Sequence, residues 1–177
     1  MTWKKKSSTT VHEGKYVKVT LDEVEIPNGD VRRFTVVHKE PGVLIIPWDG
    51  ENLTLVGQYR YPIDAFHWEF PQGHAEGHGL EEACRLELKE ETGFTAGTVT
   101  PLGSFYLAAG HHTQKCHVFL ATDLELVGAE REASEEGMQT RTVSLAEFEQ
   151  EVVEGKITDA STLASFALFT AQADKNF

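Results

Sequence analysis

The sequence predicts an α/β protein, and three features carry the prediction. Strand-like alternation dominates residues 16–58, one short acidic helix follows, and two further helical patterns close the chain. Tyr16–Ile26 alternates apolar and polar residues and ends in Pro27-Asn28-Gly29-Asp30. Asn-Gly supplies the left-handed residues of a tight turn, so Val31–His38 returns antiparallel. Val43–Pro47 and Leu53–Gln58 are apolar runs around Asp49-Gly50-Glu51-Asn52, which predicts a second hairpin. A helix over Leu80–Thr92 comes next, then strands over Val99–Leu107 and Lys115–Ala121. Ser144-Leu145-Ala146-Glu147 is a capping box that opens a helix, and Gly155 stops it. A last helix spans about Ala160 to Ala171, with Leu163, Phe166, Ala167 and Phe169 as its apolar positions. Glu130–Gly137 reads as an acidic loop.

Composition narrows the function. A length of 177 residues fits one domain with an added arm. The net charge of −12, with no basic stripe, argues against a nucleic-acid binder. No apolar run approaches the roughly 18 residues of a membrane span. The N-terminal MTWKKKSSTT is basic but lacks an apolar stretch after it, so it does not read as a signal peptide. Cys84 and Cys116 show no metal or redox spacing, and the expectation is a reduced, cytoplasmic chain with both thiols buried.

The densest chemistry lies in Gly73–Phe94, GHAEGHGLEEACRLELKEETGF. At about 100° per residue, Glu87, Glu90 and Glu91 fall within roughly one third of the helix circumference. Leu80, Ala83 and Cys84 share that stripe, while Glu81, Glu82, Arg85 and Lys89 lie opposite. Carboxylates on the apolar side repel one another unless a cation neutralises them. A hard divalent ion does so, because Mg2+ prefers oxygen ligands and substrate phosphates. Gly93 stands where a helix C-cap takes a left-handed residue, and Gly73, Gly77 and Gly79 permit a tight loop. A solvated acidic helix ending at a chance glycine would show the same charge run, but not that spacing.

The segment resembles the Nudix box, the loop–helix–loop signature of hydrolases acting on nucleoside diphosphates linked to another moiety. Gly73 opens it and Glu87-Leu88-Lys89-Glu90-Glu91-Thr92-Gly93-Phe94 closes it. Three departures stand out: the loop is one residue short, His78 replaces the loop Glu, and Leu86 replaces the Arg that helps orient a metal-binding Glu. Val56-Gly57-Gln58-Tyr59-Arg60-Tyr61-Pro62 and Trp68-Glu69-Phe70-Pro71-Gln72-Gly73 are similar to a run in ADP-ribose and nucleotide-sugar pyrophosphatases. Leu107-Ala108-Ala109-Gly110 with His117–Ala121, and Glu154–Ala160, resemble later segments of that branch in the same order. The similarity covers roughly Tyr16 to Phe169.

The resemblance, with the element order, implies a Nudix-type α/β/α sandwich with a mixed central sheet over residues 41–177. An antiparallel β arm over residues 1–40 precedes it, and in the branch such an arm reaches into a second subunit, which implies a homodimer. Mg2+, or Mn2+, would be held by Glu87, Glu90, Glu91, the Gln72 carbonyl and Glu136, with Glu135 as base and both Glu91 and Glu136 counted with it in the catalytic set. The branch often uses a Glu near position 114, but Gln114 cannot act as a base. Substrate contacts fall to Gln58, Arg60, Glu69, Gly110 and Arg32. Of these, Arg60 is the best phosphate ligand on chemistry alone, because its guanidinium fork matches phosphate oxygens. His67, His74, His78, His111 and His112 lie on segments expected near the pocket, and Trp48, Phe66, Trp68, Phe105 and Tyr106 are candidates to stack a base or to pack the core.

The leading expectation is metal-dependent hydrolysis of a nucleoside diphosphate sugar of the ADP-ribose or GDP-mannose type. Its partner is then a small molecule, with neither nucleic acid nor membrane. The alternatives are a Nudix hydrolase of dinucleoside polyphosphates or capped RNA, and a Nudix-like binding module that has lost catalysis.

Overall fold

The computed structural model describes residues 2–129 and 137–176. These form two compact units. One runs to Pro41 and includes Tyr106–Lys115; the other holds Gly42–Phe105 and the chain from Cys116 onward.

In the first unit β1 (Lys4–Glu13), β2 (Lys18–Glu25) and β3 (Val31–His38) form an antiparallel sheet in that order. The expected Asn-Gly turn joins β2 to β3. Gly29 takes φ 92° and donates to the Ile26 carbonyl at 2.9 Å, while the Asn28 side chain accepts from Asp30 N at 3.0 Å. β1 is missing from the sequence-based elements because it has no apolar alternation: all of its residues are exposed. Beyond its ladder to β2, it is held by Lys6–Glu25 at 3.0 Å, Ser7–Glu23 at 3.1 Å and Lys5–Asp22 at 3.5 Å. The Ser8 hydroxyl beside Asp22 lowers that carboxyl's pKa. On the far edge, Val37 N donates to the His111 carbonyl and Thr113 N donates to the Val37 carbonyl.

The second unit contains β4 (Gly42–Pro47), β5 (Asn52–Arg60), β6 (Ala65–Glu69), β7 (Gln72–His74), β8 (Phe94–Tyr106), β9 (Lys115–Leu126) and β10 (Gln139–Ser144). One sheet, in the order β7-β4-β9-β8, is mixed: β4 runs parallel to β9 and antiparallel to β7. The second, β10-β5-β6, is antiparallel. Helices α1 (Leu80–Glu87), α2 (Leu145–Val153) and α3 (Ala160–Asn176) complete the unit. β4 is buried on both faces and organises two apolar layers. Val43 and Ile45 pack with Ala83, Cys84 and Leu88, whereas Leu44 and Ile46 pack with Phe148 of α2 and Phe169 of α3. Each such buried aliphatic side chain contributes roughly 1.5–3 kcal/mol relative to exposure. This is the expected α/β/α arrangement.

One expectation is corrected. Val43–Pro47 and Leu53–Gln58 do not form a hairpin ladder; β4 and β5 belong to different sheets and meet at a Trp48–Leu53 bridge beside the turn. The turn itself is real, since the Asp49 carboxylate accepts from Glu51 N and Asn52 N. Trp48 N, however, donates to the Ala121 carbonyl of β9. The turn chemistry marks the reversal but does not say which sheet each strand joins. β6, β7 and β10 are likewise absent from the sequence-based elements.

The capping box is present. Ser144 Oγ accepts from Glu147 N at 3.3 Å and the Glu147 carboxylate accepts from Ser144 N at 2.9 Å. Gly155, at φ 72°, follows the helix as expected. Cys84 and Cys116 are both buried, and burial pushes the Cys84 thiol up to about 12. Among the described residues, no helix is long and apolar enough to cross a membrane.

Ser144→Ala is expected to cost about 1 kcal/mol in urea unfolding. The Ser144 N–H, then its hydroxyl, hold the Glu147 carboxyl below its ordinary range. A depressed carboxylate stabilises above that range and loses its effect as pH falls. The stability gap between wild type and Glu147→Gln should therefore be open at neutral pH and close on acidification.

Candidate active site

The site is built on the short turn Phe70-Pro71-Gln72-Gly73 between β6 and β7, onto which α1, β5 and α3 converge. Pairing of β5 with β6 sets Gln58 opposite His67, Arg60 opposite Ala65 and Val56 opposite Glu69. Strand alternation then puts Gln58, Arg60, His67 and Glu69 on one face, and Tyr59, Phe66 and Trp68 on the other.

Glu69 is 2% exposed, and three donors surround its carboxylate. Arg60 Nη2 (2.5 Å) and Gln58 Nε2 (2.8 Å) reach Oε1, and Gln72 Nε2 reaches Oε2 at 2.9 Å. Burial raises the Glu69 pKa, and the Arg60 guanidinium opposes the rise. Without those donors the carboxylate would be a costly buried charge.

The helix carboxylates approach the same turn. α1 keeps its ordinary pitch only to Glu87; Leu88–Thr92 forms a wider π-helical turn. The wheel drawn at about 100° per residue therefore fails over Glu90 and Glu91. The widening is closed by Thr92, whose hydroxyl bonds the Leu88 carbonyl, and by Gly93 at φ 80°. Gly93 is required twice over, since a Cβ there would meet Ala129 N at 2.7 Å. Glu91 is buried and its Oε2 accepts from Gln72 N at 3.0 Å, while Thr140 Oγ1 of β10 donates to its carbonyl at 3.4 Å. Glu87 lies against Gly73: a Cβ built on Gly73 would overlap the Glu87 carboxylate. Of the three, Glu91 is buried, and Glu87 and Glu90 are partly buried.

The three departures also have their places. The shortened loop is closed by a tight turn in which His78 N donates to the Ala75 carbonyl at 2.8 Å across Glu76 (φ 46°) and Gly77 (φ 85°). Two successive positive φ values make it a type I′ turn. His78 pairs with Glu82 at 3.4 Å on the exposed side of α1. Leu86 is exposed, and Arg85 donates to Glu81 and, at 2.7 Å, to the Ala96 carbonyl of β8. The helix arginine, Arg85, is thus engaged by Glu81 and Ala96, while Gln72 N of the 70–73 turn donates to Glu91.

α3 completes the frame, and sequence reasoning missed its part. Asp159 caps the helix by accepting from Thr162 N at 2.7 Å. Ser161 Oγ lies 2.7 Å from Asp159 Oδ2 and 2.9 Å from Gln72 Oε1, and Thr162 Oγ1 accepts from Phe70 N at 3.0 Å. An Asp before a helix is a readable cap signal, but its partners lie far away in sequence.

The predicted residues thus separate. Gln58, Arg60, Glu69, Gln72, Glu87, Glu90 and Glu91 belong to the second unit, and hydrogen bonds tie Gln58, Arg60, Glu69, Gln72 and Glu91 together. Arg32 and Gly110 belong to the first unit, where Arg32 pairs with Asp30 at 3.2 Å. Glu135 and Glu136 lie outside the described residues. Trp48, Trp68 and Phe105 pack against the core; Arg141 stacks on Trp68 with its guanidinium 4.2 Å from the ring centre.

The sequence profile of the NUDIX domain matches residues 38–165. The chain belongs to the Nudix hydrolase family. It is 33% identical over 156 residues to an ADP-ribose pyrophosphatase of Bacillus subtilis, covering 86% of this chain and 84% of that protein. An ADP-ribose pyrophosphatase of Mycobacterium tuberculosis is 31% identical over 162 residues, covering 89% and 78%. The crystal structure of an ADP compounds hydrolase superposes with a TM-score of 0.86 at 22% identity, over 98% of this chain and 95% of that one, a likeness of fold.

Nudix hydrolases generally use divalent metal ions, and the donors here fit one. They are hard oxygens, and Gly73 leaves the space the Glu87 carboxylate fills. Among the described residues no three His, Cys, Asp or Glu side chains are already gathered as a metal cage. A Mg2+-type site does not need one, since one or two carboxylates and substrate phosphate oxygens complete it.

Gly73 is outside the left-handed region, and the three atoms nearest to an alanine Cβ there all belong to the Glu87 carboxylate. Gly73→Ala should displace Glu87, leave the fold intact and weaken Mn2+ binding about 10- to 100-fold by electron paramagnetic resonance. Unchanged binding would remove Glu87 from the ligand set.

Proposed function

We propose that this Nudix hydrolase cleaves the diphosphate of a nucleoside diphosphate sugar, of the ADP-ribose type, to a nucleoside monophosphate and a sugar phosphate. One observation supports this above the others: Gln72 links a guanidinium suited to phosphate, Arg60, by way of Glu69, to a metal-competent carboxylate, Glu91. The names of the relatives from Bacillus subtilis and Mycobacterium tuberculosis point to the same substrate class.

Glu87, Glu90, Glu91 and the Gln72 carbonyl would hold Mg2+ or Mn2+, with Glu136 as a further ligand. When bound, the ion withdraws charge from the phosphoryl oxygens and favours ionisation of a water. Arg60, fixed by Glu69, binds the diphosphate through charge-assisted hydrogen bonds. Attack is in line: water oxygen bonds to one phosphorus as its bond to the bridging oxygen breaks, and Glu135 accepts the water's proton. We also propose a cytoplasmic homodimer formed through the arm, whose β1 presents an exposed edge.

A nucleotide-sugar panel incubated with and without Mg2+ tests the reading through released nucleoside monophosphate. ADP-ribose turnover that chelation abolishes is the expected result; no turnover of any member, with metal still bound, would favour a binding module. Glu91→Gln keeps an acceptor for Gln72 N but removes the charge. It should cut turnover by at least about 100-fold, the upper end of what disturbing metal-site partners costs, with little change in melting temperature. Light scattering at micromolar concentration should give a dimer; a monomer would count against the arm's role.

A further inference from the structure

We infer that the side chain of Gln72 is a positioning residue that locks the Glu69–Arg60 pair in place, and that it does so by borrowing rigidity from the first turn of α3. The inference rests on the reading of Arg60 as the diphosphate ligand and adds a role separate from the Gln72 carbonyl.

The geometry assigns each end of the amide. Nε2 donates to Glu69 Oε2 at 2.9 Å, and an ionised carboxylate accepts only, so the amide oxygen must face the other way. There it meets Ser161 Oγ at 2.9 Å. Ser161 is 4% exposed, and its Oγ faces two acceptors, Gln72 Oε1 and Asp159 Oδ2, which share its single proton. Asp159 Oδ2 also accepts from Thr162 N, and the backbone at the start of α3 sets where the hydroxyl sits. Gln72 thus links the Glu69 carboxylate to Ser161, a residue 89 positions further along the chain than Gln72 itself.

Glu69 requires this. Both donors from β5, Arg60 and Gln58, use Oε1, and Gln72 is the donor recorded at Oε2. Remove the amide and a nearly buried carboxylate loses its partner on one oxygen, at a cost of about 1–3 kcal/mol if it stays put. Rotation of the carboxylate relieves the cost and carries Arg60 with it. Arg60 is 38% exposed at its side chain, so Glu69 is its restraint on the protein side. The Gln72 backbone, which serves Glu91 and the metal, is unchanged by truncating the side chain.

Gln72→Ala is the test, read first without any ligand. The 15N relaxation of the Arg60 Nε–H should show increased disorder, approaching that of Arg33, whose side chain is 71% exposed. With ADP-ribose, KM of Gln72→Ala should rise about tenfold, which is roughly 1.4 kcal/mol. In Ser161→Ala, which leaves Gln72 intact, kcat should stay within about threefold and Mn2+ binding to the substrate-free protein within about twofold. Ser161→Ala should move Arg60 and KM in the same direction by about threefold, and the double variant should do no more than Gln72→Ala. Arg60 as ordered as in wild type, a KM change that adds across the two sites, or a loss confined to melting temperature would each overturn the inference. Should Gln72→Ala fail to fold, Ser161→Ala carries the same readouts. Wild type that turns over no nucleotide sugar would sink the proposed function, and the Arg60 relaxation would still decide this one.

Discussion

A buried carboxylate that must be satisfied on both oxygens governs the candidate site. Glu69 lies at the end of β6, and meeting its hydrogen-bonding demand brings together two residues of β5 and one of the following turn. That turn then supplies the backbone N–H for Glu91 and, at Gly73, the space for Glu87. The hydrogen-bonded group of Glu69, Arg60 and Gln58 and the helix carboxylates Glu87 and Glu91 therefore meet at one short stretch of backbone, so a shift in the turn would disturb both. The core holds the turn from beneath through Ile45 N to the Pro71 carbonyl and Phe70 N to Thr162.

The same economy explains how the box tolerates its departures. A charged partner in the loop and an arginine on the helix are both replaced, by His78 and Leu86, and both replacements point to the exposed side of α1. Gln72 N donates to Glu91, which lies on the π-helical turn that Gly93 and Thr92 close. Such widened turns are rare and are found most often at functional sites.

Much of this was legible in the sequence where the signal is local. Asn28-Gly29 specifies its hairpin, Ser144-x-x-Glu147 its cap, and the stripe carrying Glu87 and Glu91 its inward face. The failures have a common cause. β1 has a polar sequence and earns its place through pairing alone, and the strands around Asp49–Asn52 part company because their partners come from elsewhere in the chain. The bond from Gln72 to Ser161 is likewise non-local, and neither residue type announces it. The helical wheel located the acids but could not foresee the change of pitch that buries one of them.

The polar character of β1 has a consequence for how the two units answer to their surroundings. Its side-chain attachments are exposed pairs of lysine and serine with acids, individually weak and attenuated within a Debye length of about 10 Å at 0.1 M salt. The apolar layers around β4 depend on water exclusion, which excluded salts such as sulfate strengthen. Screening by any salt therefore weakens the ion pairs of the ribbon but not its backbone ladder, whereas only excluded ions add to the water-driven packing of the sandwich.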